Sequence, residues 1–202
     1  MAYDNDTLKQ LGNPSGDIGR KVLTHLNRVN TGINTATFHS LSPMAGDTIL
    51  EIGFGGGALL EMLVTKSDGV RAVGADISEL AVAEAQELYR ELIDQGLLQF
   101  VATIGSVLPL APATFDKLCC VNVIYFWQDP LQEVDEMFRV LKTAGRAVLS
   151  YAHGSPDQET KFPTSKVEDW LASAGFVEIE HQQREDQENG VYYVTTARKG
   201  GA

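Results

Sequence analysis

The chain has 202 residues, 44% of them apolar and 21% charged, ordinary values for one globular domain large enough to bury a substantial core. Its formal net charge is −11 with no cluster of Lys or Arg, which disfavours nucleic acid and anionic lipid and is more compatible with a neutral or cationic small molecule, or a carrier-bound one. No apolar run approaches the ~20 residues of a membrane span, and the opening Met1-Ala2-Tyr3-Asp4-Asn5-Asp6-Thr7 is polar and acidic, unlike a secretion signal, so the expectation is a cytoplasmic protein without membrane insertion.

Pro14-Ser15-Gly16 is a break, after which Ile18, Val22, Leu26 and Val29 recur at helical spacing and predict a helix over 17–29 with that apolar face. A second short helix is predicted over Thr31–Leu41, and Ser42-Pro43 with Ala45-Gly46-Asp47 forms the turn into a first strand. From there strands at 48–52, 70–75, 98–103, 117–123 and 145–151 alternate with helices at 57–66, 78–95 and 130–141. In the helix at 78–95, Ser78 suits the N-cap, and Ala81, Ala85, Leu88 and Leu92 mark the buried face. Leu118 to Ile124 is almost wholly apolar, as a central parallel strand covered on both faces requires. Such alternation predicts a doubly wound α/β sheet. The C-terminal part changes pattern: a helix over Ser165–Ala174 stops at Gly175, and strands at Phe176–His181 and Val191–Ala197 are joined by the polar stretch Gln182–Gly190. Two strands without a helix between them make an antiparallel hairpin. The two cysteines, Cys119 and Cys120, are sequence neighbours. On a strand they point to opposite faces, so they read as small buried core residues rather than a disulfide, and no Cys/His spacing suggests a metal site.

The chemistry-bearing stretch is Ile49-Leu50-Glu51-Ile52-Gly53-Phe54-Gly55-Gly56-Gly57, followed by Ala58, Leu59, Leu60, Met62 and Leu63 at helical spacing. This is a strand, a glycine turn and a helix N-terminus. Glycine permits positive φ and close backbone approach, and the helix start offers free N–H groups and partial positive charge, which is how nucleotide-like cofactors are held. Gly53-x-Gly55-x-x-Ala58 also fits the dinucleotide fingerprint, and Val70-Arg71-Ala72-Val73-Gly74-Ala75-Asp76 supplies a second strand ending in a ribose-type acid. That acid alone does not separate the two cofactor classes.

Three further features do. Glu51 precedes the first glycine, about 45 residues of helical sequence precede the first strand, and the run Phe115-Asp116-Lys117-Leu118-Cys119-Cys120-Val121-Asn122-Val123-Ile124-Tyr125-Phe126-Trp127 follows later. With these the chain resembles the class I S-adenosylmethionine-dependent methyltransferases, specifically small-molecule members of the ubiquinone/menaquinone C-methyltransferase type, well over residues 45–152 and loosely elsewhere. The resemblance implies a Rossmann-like seven-stranded sheet of order 3-2-1-4-5-7-6, its last strand antiparallel, in a single domain with residues 1–44 as a helical lid over a core at 45–202. It implies S-adenosyl-L-methionine as cofactor, with Gly53, Gly55 and Gly57 forming the turn, Glu51 orienting the amino-acid end and Asp76 binding ribose. Ile77 and Val107 would lie against adenine, and the backbone at Asn122 would border the methionine part. Where the family carries Gly-Asp, whose carboxylate accepts from the adenine amino group, this chain has Gly105-Ser106, an acceptor without charge assistance.

The same resemblance implies that Tyr125, Phe126 and Trp127 fall near the acceptor substrate, although Phe126 and Trp127 equally suit packing against the following helix. Tyr151 and His153 follow the fifth strand at the same end of the sheet, and His153 is a candidate to take or orient a substrate proton. His39 is a second candidate substrate contact and His25 a weaker one, while Arg20 and His181 read as surface residues. Methyl transfer is an in-line displacement that needs orientation rather than a dedicated nucleophile or metal. Two other readings share these residues: a cofactor binder without turnover, and an NAD-dependent oxidoreductase. The late first strand, Glu51 and the C-terminal hairpin stand against the latter.

Overall fold

The structure is a computed structural model and describes residues 5–104, 106–153 and 156–201. In chain order its elements are α1 (Asn5–Gly12), α2 (Gly16–Val29), α3 (Thr31–Leu41), β1 (Thr48–Ile52), α4 (Ala58–Thr65), β2 (Arg71–Asp76), α5 (Glu79–Leu88), α6 (Arg90–Asp94) and β3 (Leu98–Ala102). They continue with β4 (Phe115–Val121), one 3-10 turn (Ile124–Phe126), α7 (Pro130–Val140), β5 (Leu141–Ala152), α8 (Pro156–Lys161), α9 (Thr164–Ser173), β6 (Phe176–Asp186) and β7 (Gly190–Lys199). The strands form one seven-stranded sheet in the order β3-β2-β1-β4-β5-β7-β6. β3, β2, β1, β4 and β5 run parallel, and β7 is antiparallel to both neighbours. This is the Rossmann-like order that the resemblance implies.

Each face of the sheet has its own core. Ile49, Cys119, Val121 and Val148 point into a layer made by α2 to α5. Leu50, Leu118, Cys120 and Leu149 point the other way, to α7 and α9. Side chains alternate across a strand, so Cys119 and Cys120, both buried and unbridged, serve opposite layers.

α3 is a full member of the first layer: Ile33, Thr37 and Leu41 are wholly buried, and the Thr37 hydroxyl shares a 2.6 Å hydrogen bond with Ser150 on β5. Asn30, just before α3, meets Asn122 just beyond β4, whereas Lys117, near the start of β4, donates to Ser42 O at the far end of α3 and to Asp47. α3 therefore runs antiparallel to β4. Among the described residues no helix is long and apolar enough to cross a membrane.

Several local expectations change. The predicted helix at 78–95 is two, α5 and α6, because Tyr89 breaks it (φ −105°, ψ 23°) and turns inward so that its hydroxyl donates to Gly56 O. Leu88 is then exposed, and Val82 joins Ala81 and Ala85 in the core. In α2 the buried residues are Gly19 and Leu23, and Ile18 faces solvent; a Cβ on Gly19 would stand 2.8 Å from Leu80, so the helix lies close at that glycine. β6 continues past His181 to Asp186, consuming most of the predicted polar loop, with rungs from Gln182↔Val194 to Asp186↔Gly190. As an edge strand it is largely exposed and carries polar residues, which hides it from an apolar pattern. β5 begins earlier than predicted, with Leu141 opposite Phe115.

Candidate functional site

Parallel α/β sheets bind ligands beyond the C-terminal strand ends, where order reverses; here that point lies between β1 and β4. Gly53, Gly55 and Gly57 all have positive φ (69°, 54° and 81°), but different neighbours demand them. A Cβ on Gly53 would stand 2.6 Å from Val123, and one on Gly57 would stand 2.7 Å from the Tyr89 ring. At Gly55 the nearest atom is Leu26 at 3.8 Å, so Gly55 is the member of the turn that presents open backbone. α2 covers this turn: Asn27 Nδ2 donates to Gly56 O at 3.1 Å. A cavity of about 440 Å³ opens between α2, α5 and the turn, bordered by Leu23, Asn27, Gly55, Gly56 and Ala81.

Two buried acids converge on the turn. Asp76 ends β2 and is 7% exposed. One of its oxygens accepts from Gly55 N at 3.0 Å and the other from Ser78 N at 2.9 Å. Burial pushes its carboxyl up from the usual range, and the backbone N–H groups of Ser78, Gly55 and Ile77 pull it partly back. A carboxylate has about four acceptor sites, so acceptor capacity remains for a ligand's hydroxyl. Glu51, 3% exposed on β1 between Gly74 and Cys119, is less well served. Its Oε2 is buried without a hydrogen-bond partner among the described residues. Burial first, and the charge of Asp76 second, push its carboxyl well above the ordinary range. An orphaned buried carboxylate oxygen beside a glycine turn fits a ligand that brings a cationic or N–H group.

Ser78 caps α5, accepting from Ala81 N, and its hydroxyl donates to Pro14 O at 2.7 Å. Gly12 lies against the Phe126 ring. The link between α1 and α2 thus spans from the end of β2 to the turn after β4. Ile77 and Val107 are exposed at this edge, as is Ile104. Ser106 is half-buried and donates to Glu133 of α7 at 2.7 Å; Gly105 lies outside the described residues.

Asn122 holds a left-handed conformation (φ 56°), uncommon for a residue with a side chain. Its side chain explains this: Oδ1 accepts from Ala152 N at 3.0 Å, and Nδ2 donates to Asn30 at 3.2 Å. Tyr125 donates its hydroxyl to Ala152 O, and its ring packs edge-on to Phe126 and Phe162. Burial raises its phenol, so Tyr125 is held as a neutral hydrogen-bond donor. Trp127 packs on Trp170. His153 stands beside Tyr151 and Tyr193 with Nε2 3.0 Å from Phe162 O. A carbonyl only accepts, so Nε2 carries the hydrogen and Nδ1 is the basic nitrogen of the neutral ring.

The structure brings Glu51, the three glycines, Asp76, Ile77, Ser106, Val107, Asn122, Tyr125 and His153 to one edge of the sheet. It does not bring His39 there. That residue is exposed, ~13 Å along the helix from Asn30 at 1.5 Å per residue, near the start of β4. His25 is exposed beside Arg28, Arg20 pairs with Glu84 and Asp17, and His181 bonds Thr195. Sequence reasoning missed Asn27, Asn30, Tyr89 and Glu133. Only Glu133 left a local trace, as an acid in the first turn of a helix following the turn residues Asp129-Pro130.

Residues 50–149 match the family model described as a methyltransferase domain. The chain is 29% identical over 157 residues to the uncharacterized methyltransferase YdaC of Bacillus subtilis, covering 76% of this chain and 84% of that protein. It is 26% identical over 188 residues to the demethylmenaquinone methyltransferase of Clavibacter sepedonicus, covering 73% and 72%. It spans about half the length of several ubiquinone biosynthesis O-methyltransferases that it also matches. Among solved structures, Haemonchus contortus phosphoethanolamine N-methyltransferase 2 in complex with S-adenosyl-L-methionine superposes with a TM-score of 0.76 at 14% identity, covering 100% of this chain and 61% of that one.

Proposed function

We propose that this chain, whose residues 50–149 match the methyltransferase-domain model, is a class I S-adenosylmethionine-dependent methyltransferase whose site binds S-adenosyl-L-methionine at the glycine turn and transfers the methyl group to a small molecule. The observation that carries the reading is the pair of buried acids around Gly55, one of them with an oxygen that none of the described residues satisfies. Glu51 would accept from the cofactor's ammonium group, Asp76 from the ribose hydroxyls, and Gly55 would let the backbone approach. Asn122 would shape the methionine end, and Ile77 and Val107 would flank the base. When bound, the cofactor supplies a methyl group on a positively charged sulfur.

The protein's contribution in this reading is orientation and exclusion of water. Tyr125 gives its one hydroxyl hydrogen to Ala152 O beside Asn122, so it shapes the acceptor pocket and offers only acceptor capacity there, rather than donating to the acceptor or removing a proton. His153, with Nδ1 as its basic nitrogen, is the residue able to accept one. α1 and α2, with the Gly12–Pro14 link, act as the cover of a single catalytic domain, opening for product release. The acidic balance of the chain favours a neutral or cationic acceptor over a polyanion.

Titration calorimetry with S-adenosylhomocysteine, with NADH in parallel, tests the reading. Binding of the homocysteine nucleoside that falls by roughly 1–3 kcal/mol in Asp76→Ala, as loss of hydrogen bonds to a charged group requires, supports it. Binding of NADH alone refutes it. A labelled-methyl screen over neutral and cationic small acceptors then identifies the substrate.

A further inference from the structure

Resting on the cofactor reading above, we propose that Glu133, reaching across from α7, sets the base specificity of the nucleoside slot by accepting the Ser106 hydroxyl's hydrogen bond, so that the Ser106 lone pairs accept from the exocyclic amine of adenine. The slot follows from the ribose acid. With Asp76 at the end of β2 on the sugar, as the cofactor reading has it, the base would extend over the neighbouring end of β3. There Ile77, Ile104 and Val107 are 46%, 90% and 56% exposed, three large apolar side chains at one edge, suited to the faces of a flat ring. The polar group among them is Ser106, within the turn closed by the Ile104↔Val107 bridge.

A lone serine hydroxyl donates or accepts with equal ease and would not tell an amine from a carbonyl. This serine is not alone: its Oγ donates to Glu133 Oε1 at 2.7 Å, which commits its one hydrogen. What it can offer elsewhere is acceptor capacity, strengthened by the charge behind it.

Glu133 differs from the acid one helical turn on. Glu136 is neutralised by Arg139, and both brace the same loop through Leu108 and Leu110. Glu133 is half-buried, and among the described residues no cation pairs with it. Bracing the loop is already done by Glu136 and Arg139; Glu133 adds polarity at the serine. Glu133 is a positioning residue, acting through Ser106.

The test compares two ligands by calorimetry: S-adenosylhomocysteine and its 6-oxo counterpart, S-inosylhomocysteine. The wild-type protein prefers the adenine form by about tenfold or more, since a carbonyl would face lone pairs. In Glu133→Ala the hydroxyl turns freely and can donate to the 6-oxo group. Adenine affinity then falls about tenfold, inosine affinity holds or rises, and the preference shrinks to within about threefold. The double variant Ser106→Asp/Glu133→Gln, which places a carboxylate directly at position 106, restores the preference. Equal losses for both ligands in Glu133→Ala, or an unchanged preference, overturn the assignment while leaving the cofactor reading intact. A wild-type protein that binds neither ligand overturns both.

Discussion

Replacing Glu51 by Gln should make the ligand-free protein more stable, by a margin that grows with pH. Glu51 is 3% exposed, and its Oε2 lacks a partner. A buried unsatisfied polar group costs roughly 1–3 kcal/mol, and an ionised one costs more. Burial and Asp76 hold its carboxyl well above the ordinary range. A group whose folded pKa is raised favours folding most when protonated. That contribution is complete below the unfolded value of about 4.3 and is lost as pH climbs through the folded one. Gln carries no proton to lose, so it escapes this penalty. At roughly 2–4 °C per kcal/mol for a chain of this size, the variant should melt about 2–12 °C above wild type near pH 9, with the gap narrowing toward pH 5. Scanning calorimetry of both proteins across that range measures it. Saturating S-adenosylhomocysteine should reverse the order, because the ligand's ammonium group pairs with the carboxylate and rewards it. A gap that is constant with pH, or a variant that melts lower without ligand, would refute the assignment of Glu51 as a strained acid kept for a cationic partner.

Gly55→Val should lower S-adenosylhomocysteine affinity at least about tenfold, since φ of 54° costs a β-branched residue roughly 1–2 kcal/mol or more and the side chain enters the open side of the turn; calorimetry measures the affinity, and circular dichroism should show the fold retained. Lys117→Met should lower unfolding free energy by about 3–5 kcal/mol, because it strands the buried Asp47 carboxylate; urea denaturation reads this out. Thr37→Val should cost about 1–2 kcal/mol by leaving Ser150 unpaired under α3, measured the same way. His153→Ala should slow turnover by roughly 10²–10⁴-fold if its Nδ1 removes the acceptor's proton, with S-adenosylhomocysteine affinity unchanged; an unaltered rate removes it from the chemistry.

What the sequence made legible is what is local. The glycine turn, Asp76 two residues before its N-cap Ser78, and the near-continuous apolar run of β4 each declare themselves within a dozen residues. The contacts that complete the site come from far along the chain. Asn30 reaches Asn122 across 92 positions, and Ser106 reaches Glu133 across 27. Neither pairing leaves a spacing to read. Tyr89 sat inside a good helical pattern, and only its bond to Gly56 shows why the helix stops. His39 illustrates the converse: its helix was predicted well, but the direction in which α3 lies on the sheet decides which end faces the strand tips. β6 was cut short because its exposed edge selects polar residues that resemble a loop.

The adjacent, oppositely facing cysteines make the sheet its own pair of reporters. Cys119 senses the layer of α2 to α5, and Cys120 the layer of α7 and α9. Burial raises both thiols, so neither reacts until its covering layer parts. Single-thiol variants, Cys120→Ser and Cys119→Ser, would therefore time the opening of each half of the core separately. Labelling slowed by S-adenosylhomocysteine at Cys119 but not at Cys120 would show that the ligand tightens the glycine-turn side while the opposite side keeps its own clock.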